Sequence, residues 1–167
     1  PNNLATGIHR DGGFAEFCVF PASKAVVLPD EINPLYGAFC EPLACTLHGM
    51  DIGAAREGET VLVIGGGVIG LMAVQLAKLA GAEVLLLTRS PEKQVLGLNI
   101  GADYAVGAES EVRNIWPEGA DLVVECAGVS ATVTLSHKLA RSGGRVVILG
   151  VISQGEQVPI EPFDMLF

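Results

Sequence analysis

The stretch VLVIGGGVIGLMAVQLAKLAGAEVLLLTRS, residues 61–90, constrains the fold of this chain more than any other. It opens on Val61 to Ile64, a short apolar run of the kind found in a strand buried on both faces. Three consecutive glycines follow. From Val68 to Ala80 the apolar residues fall at helical spacing, with Ile69, Met72, Ala73, Leu76 and Leu79 on one side, and Gly81 stops the helix. Val84 to Leu87 is the next apolar strand. Glycine weakens the interior of either element, so three at the joint mark a turn that needs small residues. Gly65, Gly67 and Gly70 match G-x-G-x-x-G. A strand lies directly before the match, a helix directly after, and a second strand ends about twenty residues on. The first glycine lets the chain leave the strand sharply. The second leaves no side chain between backbone and a pyrophosphate, and the third lets the helix pack closely on the sheet. The helix start at Val68 and Ile69 then offers N–H groups and about half a positive charge to phosphates. Gly66 adds only freedom. The alternative reading is a Gly-rich turn with no ligand.

The alternation continues beyond this unit. Pro91 sits at a first helical turn, and the helix runs to about Asn99. ADYAV, DLVVECAG and RVVILGV are the third, fourth and fifth strands, with Leu135–Ala140 on the helix before the fifth and Gly143-Gly144 turning into it. Alternating strands and helices imply an α/β fold with a doubly wound parallel sheet. The tail SQGEQVPIEPFDMLF is a loop. Before residue 60 the texture differs. GGFAEFCVF alternates Phe14, Glu16 and Cys18 with Ala15, Phe17 and Val19, and KAVVLPD reads as a second short strand. NPLYGAFCEPLACTLHGMDIG is helical, with Asn33 as cap and Pro34 in the first turn. Pro42 falls inside it and should kink or restart the helix. Asp51 to Glu59 reads as a polar loop.

Half of the residues are hydrophobic, enough for a large core. The formal net charge of −9 argues against nucleic acid or an anionic membrane as partner. No apolar run reaches the ~18 residues of a membrane span. No charged-then-apolar start marks a signal peptide. Cys18, Cys40, Cys45 and Cys126 form no CxxC pair and read as reduced thiols of a cytoplasmic protein. The chain does not begin with Met and reads as a fragment or a processed product. Met50, Met72 and Met165 read as core or interface fillers.

The ordered set DGGFAEF, AFCEPLACTLHG, GETVLVIGGGVIGLMAVQLAKLAGA, GAD, DLVVECAG and GGRVVILGV covers nearly the whole chain. In it the chain resembles the zinc-dependent medium-chain dehydrogenase/reductase family, in particular its sorbitol (polyol) and threonine dehydrogenase-like branch. The resemblance implies an internal fragment of a two-domain, homo-oligomeric enzyme. Residues 1–50 are then the remnant of a GroES-like β-barrel catalytic domain with its linking helix. Residues 51–167 are a Rossmann-type dinucleotide-binding domain lacking its last strand. It further implies a nicotinamide cofactor, a catalytic zinc in the intact enzyme, and an alcohol or polyol as substrate. Glu41 is then the acid facing the zinc, as a ligand or through its bound water. Its bland alternative is a helix-terminal acid paired with a base. The family's Cys and Gly-His-Glu ligands and its four-cysteine loop do not occur here, so the chain as given is expected to be inactive on alcohols. Cys126, Ala127 and Gly128 end the fourth strand, and Leu149, Gly150 and Val151 end the fifth. The resemblance places the first trio near the cofactor's ribose and the second near the nicotinamide. Ordinary strand-to-loop turns are the alternative for both. Two rivals to a zinc dehydrogenase stay open: a zinc-free quinone reductase-like enzyme, and a dinucleotide-binding module without catalysis. His48 reads as a packed or capping histidine, His9 as solvated, and His137 has no partner pattern.

The end of the second strand bears on cofactor choice. An acid there accepts from the ribose 2′-hydroxyl of NAD and repels a 2′-phosphate. Here the position is Thr88, followed by Arg89 and Ser90, with Lys93 a helical turn further on. The hydroxyls donate to phosphate oxygens, Arg89 bonds two at once, and Lys93 adds a second cation. The expectation is NADP(H) over NAD(H), with NAD still possible if Arg89 merely stacks on the adenine. Glu92 tempers the positive patch.

Overall fold

The computed structural model describes residues 5–163; Met165 lies outside them. The chain forms two compact units, Pro1–Ala38 and Phe39–Phe167. The division precedes the boundary expected after residue 50, because the helix that follows packs with the second unit.

In the first unit the regular structure is a 3-10 turn at Ala22–Lys24 and helix α1 at Pro34–Gly37. Asn33 caps α1 as expected, its Oδ1 accepting from Leu35 N–H at 2.9 Å. The two strands expected in GGFAEFCVF and KAVVLPD do not form. Among the described residues of this unit the one β contact is an isolated bridge between Thr6 and Arg10. A strand is held by a ladder and a covered face, and these segments have neither: Phe14 and Val26 are 112% and 93% exposed.

The second unit begins with α2, Cys40–Gly53. The helical stretch restarts there, so Pro42 falls in a first turn, where its missing N–H costs nothing. The helix outlasts the expected start of the loop and ends on Ala54 in a left-handed conformation at φ 49. There follow β1 (Thr60–Ile64), α3 (Val68–Leu79), β2 (Glu83–Leu87), α4 (Pro91–Asn99), β3 (Tyr104–Val106), α5 (Glu109–Ile115), β4 (Ala120–Glu125), α6 (Ser130–Leu139) and β5 (Ala140–Ile148). The five strands form one parallel sheet in the order β3-β2-β1-β4-β5. Helix α5 was not foreseen; one residue of its seven, Val112, is buried. Gly143 and Gly144 lie within β5, not before it. Ala120 pairs with Ala140 and Leu122 with Arg145, so the residues between are looped out of the ladder.

Side chains alternate across the sheet. Val61, Val63, Val84, Leu86, Leu122 and Val124 pack on one face with Ala73, Val74 and Ala77 of α3 and Met50 of α2. Leu62, Ile64, Leu85, Leu87 and Val123 pack on the other with Val112 of α5 and Leu139 of α6. Each fully buried Val or Leu contributes about 1.5–3 kcal/mol. The buried stripe of α3 is Gly70, Ala73, Val74 and Ala77. The large residues expected there sit on its flanks, and Leu79 is 83% exposed. Small residues win the inner face because they let the helix axis approach the sheet. The register aligns the carboxyl ends: Ile64 lies beside Leu87 and Glu125, and Glu125 beside Ile148. The chain order reverses between β1 and β4, which leaves a crevice at that edge.

Candidate dinucleotide-binding cleft

A cleft of about 590 Å³ opens at this crevice. Its walls are the glycine loop after β1, Thr88 to Ser90 after β2 with Lys93 of α4, and Cys126 and Ala127 after β4. Of the residues picked out from the sequence, Gly65, Gly67, Thr88, Arg89, Ser90, Lys93, Cys126 and Ala127 line it. Val68, Ile69, Gly70, Gly128, Leu149, Gly150 and Val151 lie outside the lining.

Gly65 takes φ +107, and a Cβ there would stand 2.9 Å from Ala127 N. The turn off β1 therefore needs glycine for its backbone and for its neighbour. A Cβ on Gly67 would meet open space, the room a pyrophosphate requires. A Cβ on Gly70 would overlap the Gly65 carbonyl oxygen, so the third glycine admits the loop itself as much as the sheet. Gly66 does more than add freedom: a Cβ there would stand 3.0 Å from Lys93 Cβ and 3.1 Å from Thr88 Oγ1. It lets α4 and the β2 exit close over the loop. Gly67 offers α3 no side-chain cap. The first helical bond is Leu71 N–H to Gly67 O at 2.9 Å, so the amides of Val68, Ile69 and Gly70 precede the ladder.

At the β2 exit, Thr88 is buried and its carbonyl accepts from Gln94 Nε2 at 2.8 Å. Ser90 caps α4 and donates to Glu92 Oε2 at 2.7 Å, a bond that lowers the Glu92 pKa. That bond and the Lys93 N–H donated to Ser90 Oγ turn the hydroxyl toward the helix. Arg89 and Lys93 have no carboxylate partner among the described residues; the three ion pairs use Lys78, Arg141 and Arg145.

At the β4 exit stands Glu125, which spacing does not single out. It is buried, and its Oε1 accepts from Ala127 N–H, Gly128 N–H and the Thr132 hydroxyl. Thr132 and Glu109 also line the cleft unforeseen. The signal available was one acid inside a Val-rich run. Burial, with Glu125 adjacent, pushes the Cys126 thiol up to about 12. Cys126 is therefore a protonated wall residue, not a nucleophile.

Residues 68–167 match the family model for zinc-binding dehydrogenases. The chain belongs to the zinc-binding dehydrogenase family. A protein of Sinorhizobium meliloti 1021, solved as a zinc-binding dehydrogenase bound to NADP, is 52% identical with a TM-score of 0.88, covering 96% of this chain and 50% of that one. D-arabinitol dehydrogenase 1 of Uromyces fabae is 33% identical over 95% of this chain and 48% of its own length. L-threonine 3-dehydrogenase of Rhizobium rhizogenes is 31% identical over 94% and 47%. The chain spans about half the length of the curated relatives it matches.

The metal of a zinc-binding dehydrogenase is poorly provided for by the residues described. Glu41 is exposed near the start of α2, and its Oε1 accepts from Cys45 Sγ at 3.3 Å, a bond that raises the Cys45 thiol pKa. His48 is exposed further along the helix, not packed. Among the described residues no three His, Cys, Asp or Glu side chains converge on a point. They do not fit a closed zinc shell. His9 Nδ1 accepts from Ala5 N–H at 3.1 Å, and His137 Nδ1 lies 2.9 Å from the Val133 carbonyl within α6. Among the described residues no helix is long and apolar enough to cross a membrane.

Proposed function

We propose that this chain carries the nicotinamide-dinucleotide site of a zinc-dependent dehydrogenase acting on a secondary alcohol or polyol, and that the site takes NADP(H) ahead of NAD(H). The observation that carries the reading is the β2 exit. Thr88 stands where an acid would select NAD, and Arg89 and Lys93 have no carboxylate partner beside the glycine loop. The NADP-bound relative at 52% identity supports it. In this reading the amides of Val68 and Ile69 receive the pyrophosphate over the open Cα of Gly67. Arg89 grips the 2′-phosphate with two parallel bonds, and Lys93 adds charge. Cys126 and Ala127 form the opposite wall. The bound nicotinamide supplies the hydride acceptor. Zinc belongs to the intact protein; Glu41 is this chain's contribution to it, with the other ligands supplied from outside the described residues.

In this reading residues 1–50 are the remnant of the catalytic domain with its linking helix and residues 51–167 the dinucleotide domain, the linking helix α2 belonging to the same compact unit as the latter. Among the described residues β3 and β5 leave open sheet edges, which suits a homo-oligomer. The unpaired thiols suit the cytoplasm.

The test is titration of the full-length protein with NADPH and NADH, beside Arg89→Ala. A charge-assisted hydrogen bond is worth roughly 1.5–3 kcal/mol. NADPH should therefore bind ~10- to 100-fold tighter than NADH, and the substitution should weaken NADPH alone. Equal binding, or equal weakening of both, sinks the NADP assignment. Binding of neither sinks the dinucleotide reading. Zinc analysis with a polyol assay on the same protein separates it from a zinc-free reductase.

A further inference from the structure

Beneath the cleft, one carboxylate ties together the exits of three strands. Glu125 is the last residue of β4 and is 0% exposed. Its Oε1 accepts three hydrogen bonds, from Ala127 N–H at 2.8 Å, Gly128 N–H at 3.0 Å and the Thr132 hydroxyl at 2.7 Å. The same hydroxyl lies 2.8 Å from the Val129 carbonyl, which competes for its proton. The backbone carbonyl of Glu125 accepts from Leu149 N–H at 2.8 Å and Gly150 N–H at 3.0 Å, so the β5 exit hangs on the same residue. Gly150 is glycine for this reason: a Cβ there would overlap Glu125 Oε2 and the Gly128 amide. On the other side Ala127 abuts Gly65, where a Cβ would stand 2.9 Å from Ala127 N.

Stability alone gives little reason for an acid at this point. A buried carboxylate is costly to desolvate, and a well-packed apolar residue is often no worse. Here one oxygen is saturated, while Oε2 is buried without a hydrogen-bond partner. What the acid does achieve is geometric. It bonds Ala127 and Thr132, both in the cleft wall, and Ala127 in turn abuts Gly65 of the glycine loop. Glu125 itself does not line the cleft, so it acts through them.

We propose that Glu125 is a positioning residue for the dinucleotide: it clamps the β4 exit against Gly65 and so sets the width of the cleft between the glycine loop and the start of α6. The proposal rests on the dinucleotide reading above. In E125Q the amide oxygen still accepts the three bonds, while its NH2 meets the unpaired space beside Gly150. E125A removes the clamp. T132V removes one donor at constant shape, and T132S restores it.

The experiment measures NADPH dissociation constants of the full-length protein and these four variants, well below each melting temperature. E125A should weaken NADPH ~10-fold or more, and T132V ~3-fold or more, with E125Q and T132S within ~3-fold and ~1.5-fold of the parent. E125Q should melt lower than the parent despite its retained affinity. That split separates positioning from mere structural support. If E125A does not fold, the Thr132 pair decides. NADPH binding by T132V as tight as the parent's, or loss by T132S equal to that of T132V, overturns the clamp. A parent that binds neither NADPH nor NADH overturns the dinucleotide reading itself, an outcome distinct from any pattern among variants of a binding parent.

Discussion

Residues 14–28 and residues 60–87 both carry apolar residues in strand-like runs, and they end in different structures. In the second stretch Val61, Leu62, Val63 and Val84 are fully buried, with strands on both sides of β1 and helices over both faces. In the first, Phe14, Phe17, Val19, Val26 and Val27 stand exposed, and among the described residues no ladder forms around them. A period-2 pattern specifies which side of a strand is apolar. It does not supply the partner strand, and without that the backbone groups have nothing to bond but water. In the β1–α3–β2 unit the partners are local: the glycine turn returns a helix and a second strand within thirty residues.

The largest test of this contrast is amide exchange. The amides of Val61 to Val63 and of Val123 and Val124 should exchange only with global unfolding, at least ~10⁴-fold slower than an open chain. Those of Phe14, Phe17 and Val26 should exchange near the open-chain rate. Hydrogen exchange read by mass spectrometry compares the two in one sample. Similar protection across residues 14–28 and 60–66 would mean that the first stretch is held by a hydrogen-bonded ladder like the second.

Side-chain truncation sharpens it at the next scale. Leu122 is fully buried between β1 and β5. Leu122→Ala should cost ~2–5 kcal/mol by loss of transfer energy and the cavity left behind. Phe17→Ala, at 88% exposure, should stay within ~0.5 kcal/mol despite removing a larger side chain. Urea unfolding followed by the single Trp116, buried in the second unit, measures both. A Phe17→Ala penalty near that of Leu122→Ala would mean that the first unit has a core of its own.

The same contrast explains what could be read ahead. Strands β1, β2 and β4 were legible because burial on both faces demands unbroken Val, Leu and Ile. The glycine loop was legible because its sterics leave few alternatives. Helix α5 was not, since it brings only Val112 and the half-buried Ile115 to the core, and Glu109, Glu111 and Arg113 look like any solvated turn. The α3 stripe was legible only at Ala73: helical spacing favours Ile69, Met72, Leu76 and Leu79 beside it, while the approach to the sheet selects Gly70, Val74 and Ala77. At the site, Arg89 and Lys93 could be named from spacing, but the Ser90 bond to Glu92 depends on a rotamer. Glu125 was missed because its partners, the Ala127 and Gly128 amides and Thr132, become neighbours only once the β4 exit has turned.

The smallest expected effect lies toward the amino ends of β1 and β4, among charges. All three ion pairs among the described residues belong to the second unit. Arg145 pairs with Glu59 through Nη1–Oε1 at 3.1 Å and Nη2–Oε2 at 2.5 Å. The Arg145 guanidinium holds the Glu59 carboxyl below its ordinary value, against a smaller upward push from burial. Burial pushes Asp121 up, but the Thr60 amide and hydroxyl and Arg141 together outweigh it, and the net shift is down. A carboxylate whose folded pKa lies below its unfolded value contributes stability that is fully present above the unfolded pKa, about 4. That stability is lost as pH falls through the lower, folded value. Both groups are partly solvated, so each pair is worth at most ~1 kcal/mol. Arg145→Met should therefore be slightly less stable than the parent at pH 7, and the gap should close as pH drops below ~4. Urea midpoints from pH 7 to pH 2.5, read by Trp116, follow that difference. A gap that stays constant through the acid range would show that Arg145 acts by packing its stem, and that the charge on Glu59 contributes nothing.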